Sequence, residues 1–106
     1  MGRLAISSRT IAQIAERSLG ECYGVVGLKA GGRLRRALAL RRRQGVEIKS
    51  QGQGIELALH VVIAYGLNLA EVAATARSSV SYEVTRQTGL EVAWVEVLID
   101  DVRRRD

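Results

Sequence analysis

The sequence predicts an α+β domain: a two-layer sandwich in which two helices cover one face of a three- or four-stranded mixed sheet. Three observations carry that prediction. Two stretches place apolar residues at spacings of three and four, as a helix with one buried face requires. Other stretches alternate apolar and polar residues, the period of a half-buried strand. Their succession, β-α-β-β-α-β, sets both helices beside one sheet. A ferredoxin-like split βαβ arrangement fits this string, and a K-homology-like sheet is the near alternative.

Residues 4–6 begin as a short extended piece, apolar at Leu4 and Ile6. Ser7 and Ser8 follow, with side-chain oxygens suited to capping a helix. Ile11, Ile14, Ala15 and Leu19 then form one helical stripe, with Cys22 beyond it. Gly20 and Gly24 weaken helix, so it should stop near residues 21–23. Residues 24–28 read as a short apolar link between glycines, and residues 29–32 as a loop. Residues 34–40 could form one or two helical turns, with Leu34, Ala37 and Leu38 on one side.

Residues 46–49 alternate as a strand does, and residues 55–63 do so at greater length. The turn between them, Gln51-Gly52-Gln53-Gly54, makes the pair an antiparallel hairpin. The far face of the second strand turns apolar after His60, as it would if covered on both sides or by a partner subunit. Asn68 with Glu71 three residues later is close to a capping box. The helix that follows carries Val72, Ala73, Ala76, Val80 and Val84 on its apolar side and ends at Gly89. Residues 90–99 form the last strand. Its apolar parity switches from Leu90, Val92 and Trp94 to Val95, Val97 and Ile99, which calls for a bulge near residues 93–95 or burial on both faces.

The 106 residues suit one domain, residues 1–106. Hydrophobic residues at 47% and charged ones at 25% exclude a disordered chain, and no apolar run is long enough for a membrane span. A single cysteine excludes an internal disulfide, and the first residues lack a signal peptide's apolar core. A cytoplasmic protein is expected. The net charge is +5, and six arginines lie between residues 33 and 43 with no acid among them: Arg33, Arg35, Arg36, Arg41, Arg42 and Arg43. Removing these six leaves −1 for the rest, so the basicity is one patch within a residue 29–45 insert. A shorter basic run is Arg103-Arg104-Arg105.

Several strings carry a family likeness. Ile6-Ser7 leads a helix containing Ile11-Ala12-Gln13-Ile14-Ala15, and Gly24-Val25-Val26-Gly27-Leu28 follows. The long strand ends His60-Val61-Val62-Ile63-Ala64-Tyr65-Gly66-Leu67-Asn68-Leu69 and runs into Ala70-Glu71-Val72-Ala73. Thr88-Gly89-Leu90-Glu91-Val92 opens the last strand. In this order, over residues 4–99, the chain resembles the alkaline shock protein family of Gram-positive bacteria, also called envelope stress response proteins. It departs in the arginine segment, where members vary, and at Ala70, where many carry proline. The resemblance implies a non-enzymatic stress-response protein, cytoplasmic or membrane-apposed. It also implies a protein partner, such as a membrane anchor protein, and self-assembly.

The six arginines are the candidate anion- or partner-binding site. Their expected counterpart is an anionic membrane surface or an acidic protein. RNA or DNA is the alternative, weakened because no aromatic residue is interleaved with the arginines and the Gly24–Gly27 spacing lacks the basic middle of a phosphate clamp. His60 is the only histidine and Cys22 the only thiol, so no metal, cofactor, catalytic residue or small-molecule substrate is expected. His60 reads as a strand residue held by a hydrogen bond, Cys22 as a buried small hydrophobe, and Trp94 as core ahead of interface anchor. Asp100 and Asp101 read as a polar stop to the last strand.

Overall fold

The first helix starts where the capping chemistry puts it. In the computed structural model, which describes residues 5–28, 45–50 and 54–104, Ser7 is extended and its Oγ accepts the Thr10 N–H at 3.1 Å. Helix α1 (Ser8–Gly20) then buries Ile11, Ala12, Ala15, Ser18 and Leu19. The second helix, α2 (Leu69–Thr88), is capped by Asn68, whose Oδ1 accepts the Glu71 N–H at 3.0 Å. It ends at Gly89, left-handed at φ 76°, whose N–H reaches the Thr85 carbonyl. Its buried residues, Val72, Ala76, Val80, Val84 and Thr88, recur every fourth position. Replacing Asn68 by alanine leaves one N-terminal N–H without its side-chain partner. The expected loss is about 1 kcal/mol, read as a lower urea midpoint at unchanged slope.

Strand β3 (Ile55–Ala64) is the axis of the sheet. Its residues Ile55, Leu57, Leu59, Val61 and Ile63 face the helices and belong to the core with Ile11, Leu19, Val72, Val80 and Val84. Two short strands pair with β3 antiparallel: β1 (Val25–Leu28) and β2 (Val46–Ser50). Strand β4 (Val92–Arg103) pairs with β3 in parallel over its whole length, from Val92 opposite Ile55 to Arg103 opposite Ala64. A strand has only two edges. With β4 filling one, β1 and β2 share the other, so the sheet is mixed and both helices cover the same face.

The expected architecture is therefore present, with the strands placed differently in two respects. Residues 5 and 6 form no strand, and Leu4 lies outside the described residues. The sheet's first strand is instead residues 25–28, read from the sequence as a link. A four-residue piece with one glycine inside it and another just before it carries no alternation of its own; it is a strand because β3 offers it partners. As a result β3 and β4 are direct neighbours joined through α2, and this βαβ unit is not split by an intervening strand. The helical turns expected at residues 34–40 lie outside the described residues.

The parity change in the last strand is a bulge. The register passes from Val92 opposite Ile55 to Trp94 opposite Glu56, leaving Ala93 as the extra residue. A second shift passes from Ile99 opposite Val61 to Asp101 opposite Val62, with Asp100 extra. The first shift turns Trp94 onto the helix-free face, where it is 62% exposed. The expectation of a core tryptophan is corrected by that one-residue slip.

Candidate functional site

Strands β1 and β2 are two parts of one broken column. Both run antiparallel to β3; β1 ends with Leu28 opposite Val61, and β2 begins with Val46 opposite Leu59. Between them the Gly45 carbonyl accepts the His60 N–H at 2.7 Å. The chain therefore leaves the sheet edge and returns to it at nearly one point, level with His60. The excursion carries Arg33, Arg35, Arg36, Arg41, Arg42 and Arg43, which lie outside the described residues. What the structure fixes is their stem, two antiparallel attachments on a central strand whose odd-numbered residues are all buried.

One polar pair stands near this level of the sheet. The His60 imidazole N–H at Nδ1 donates to Asp100 Oδ2 at 2.9 Å. Asp100 is the extra residue of the second β4 bulge, two positions beyond Leu98, the residue opposite His60. The histidine is held by a hydrogen bond, as its place in the sequence suggested. The reading of Asp100 and Asp101 as a strand stop is corrected: β4 continues to Arg103. The two carboxylates take different partners, since Asp101 Oδ1 accepts the Val102 N–H at 2.8 Å. At the end of the sheet the Arg104 guanidinium lies 4.9 Å from the centre of the Tyr65 ring. No sequence spacing announces that contact; it arises from the parallel register that ends β3 and β4 together.

Cys22 is buried just past α1, and burial pushes its thiol up from the ordinary value. A thiol so placed packs as a hydrophobe. Among the described residues no group of three or more histidine, cysteine or acidic side chains could hold a metal ion. No helix among them is long and apolar enough to cross a membrane. The helix-free face has small residues along its centre, and Ala58, Val62 and Ala64 are all at or below 3% exposure. In the register Ala58 lies between Glu47 and Glu96, and Val62 between Gly27 and Asp101.

A family model for the alkaline shock protein family, described by a cell envelope-related function, matches residues 1–104. The chain belongs to this family. Among curated proteins this alkaline shock family member is similar to the uncharacterized protein YloU of Bacillus subtilis (strain 168). The two are 30% identical over 107 residues, covering 96% of this chain and 89% of YloU. Among solved structures it is similar to two double variants of MamM-CTD. One gives a TM-score of 0.60 at 13% identity over 92% of this chain and 94% of that one. The other gives 0.61 at 10% identity over 95% and 86%. At such identities the likeness is one of fold alone. The function of this family member is thus cell-envelope-related, in agreement with the motifs that suggested it.

Proposed function

We propose that this chain is a non-catalytic stress-response module that acts by binding. It self-associates at the cytoplasmic side of the cell envelope, and its arginine segment engages an anionic membrane surface or the acidic surface of a membrane-anchored protein. The observation that supports this is the broken edge column. Six arginines with no intervening acid are carried on an excursion whose two ends are fixed side by side on a central strand. Both attachment points, Leu28 and Gly45, lie on the edge of β3 opposite β4. Each arginine near an anionic leaflet contributes on the order of 1 kcal/mol, and the attraction falls off within a Debye length.

The test is co-sedimentation with anionic and with zwitterionic liposomes, for the full chain and for a variant with all six arginines changed to glutamine. The expected result is retention by anionic liposomes alone, at least tenfold weaker for the variant and weakened by salt. Added RNA should not displace the protein. Displacement by RNA would favour the nucleic-acid reading, in which phosphates take the place of lipid headgroups. Equal retention of the two proteins would remove the arginines from the function. Particle size in the same runs without liposomes reports the self-association.

A further inference from the structure

The opposite edge of the sheet carries a separate surface. Strand β4 is paired on one side by β3 and, among the described residues, on the other side by nothing. Residues 92–97 line a groove of about 730 Å³, and its other wall is the outer side of α2, with Arg77, Ser81 and Tyr82. Residues of both parities line it in unbroken succession. It is therefore the backbone edge of β4, and not one face of the sheet, that borders the groove.

An unpaired strand edge presents N–H and C=O groups to any chain that can align with them. Exposed edges are usually blunted with lysine, proline, β-bulges or short length. Residues 92–99 contain neither lysine nor proline, and Glu96 is their one charge. The only irregularity there is the Ala93 bulge. Two aromatic side chains flank the opening, Tyr82 from α2 at 64% exposure and Trp94 from β4 at 62%. On a surface such rings are contact area that costs little conformational entropy to immobilise.

We propose that the groove takes an extended peptide segment of a partner protein, added as a further strand on β4, with an acidic residue on its helix-facing side. The chemistry of the walls sets the pattern. An added strand alternates its side chains between the two faces of the sheet. On the helix side they lie beside Val95 and Val97 and under Arg77, which has no ion-pair partner among the described residues. On the other side they meet Trp94 and Glu96. The matching segment is about six residues, roughly 20 Å of strand. It is acidic or aliphatic at one parity, and apolar or basic at the other. This surface lies across the sheet from the arginine stem, so one molecule can hold a peptide while its arginines are engaged elsewhere.

The experiment uses a fluorescein-labelled eight-residue peptide that alternates glutamate or valine with leucine or lysine, titrated with the full chain. Controls are the same peptide with lysine for glutamate and with a central proline. Saturable polarisation is expected, with loss on proline substitution because an added strand needs its N–H groups. Arg77→Glu should weaken the glutamate peptide roughly threefold to tenfold and strengthen the lysine peptide, a reversal that a merely destabilised variant would not show. Amide exchange should slow at residues 92–97 on binding. The six-arginine variant should bind the peptide as the parent does. Failure to saturate at millimolar peptide overturns the proposal, as does protection confined to other residues. So does a chain that is already dimeric through a protected β4 edge, since a second copy would then be the occupant.

Discussion

Truncating Leu59 to alanine should remove about 2–5 kcal/mol of folding stability, a large fraction of the 5–15 kcal/mol that holds a domain of this size together. Leu59 is fully buried at the middle of β3, on the face toward both helices. Its neighbours across the sheet are Val46 on one side and Val97 on the other. Both flanking columns and the helix layer meet there, so the space left by three carbons has little freedom to close. The comparison that sharpens this is Trp94→Ala, which deletes far more atoms. Trp94 stands 62% exposed beyond the Ala93 bulge, so its loss should cost less than about 1 kcal/mol. Urea unfolding of the two variants checks both values. A larger loss for Trp94→Ala than for Leu59→Ala would mean that β4 pairs in the register without the bulge.

Gly24→Ala should be nearly as damaging, by about 2–4 kcal/mol, although it adds a single methyl group. Gly24 has φ 93°, a conformation that costs a residue with a Cβ roughly 1–2 kcal/mol. The added carbon would also stand 2.9 Å from Leu67 Cδ1 and 3.0 Å and 3.2 Å from the two Val72 methyls. Leu67 can swing its terminal methyl aside. Val72 cannot, because a β-branched side chain in a helix has one strongly favoured rotamer. The Gly24 carbonyl accepts the Ala64 N–H at 2.9 Å, so displacing it also loosens β1 from the end of β3. Gly20→Ala is the counterpart. Nothing lies within 4 Å of a Cβ there, and the position is the last turn of α1. That substitution should raise stability by about 0.5–1 kcal/mol. Thermal or urea unfolding of the pair measures the difference, and a neutral Gly24→Ala would show that the turn before β1 accommodates a side chain.

Both helices were legible because helix formation is settled within a few residues. Ser7 and Asn68 cap through bonds to N–H groups three residues away, and the buried stripes follow from spacings of three and four. The Gly89 stop is equally local. The alternation of residues 55–63 likewise marked the face of β3 that fills the core. The arginine segment, as a candidate site, was visible by charge alone. What was not visible was its mounting, because the stem depends on Leu28 and Val46 meeting positions two residues apart on a distant strand. The groove along β4 was also hidden. Tyr82 and Arg77 read as the polar side of a helix until β4 is laid next to them.

The sequence by itself determined the two helices and their ends, the buried side of the central strand, a switch of apolar parity in the last strand, and a single basic segment. Each follows from interactions between residues close along the chain. Only the tertiary structure decided that residues 25–28 are a strand, that β3 and β4 lie side by side in parallel, that Trp94 faces outward, and that Asp100 meets His60. Those outcomes depend on the register between β3 and segments as much as 40 positions away. A shift of one residue in that register exchanges the two faces of a strand. Register is fixed by the summed burial of a whole strand against its neighbours, which no local spacing encodes.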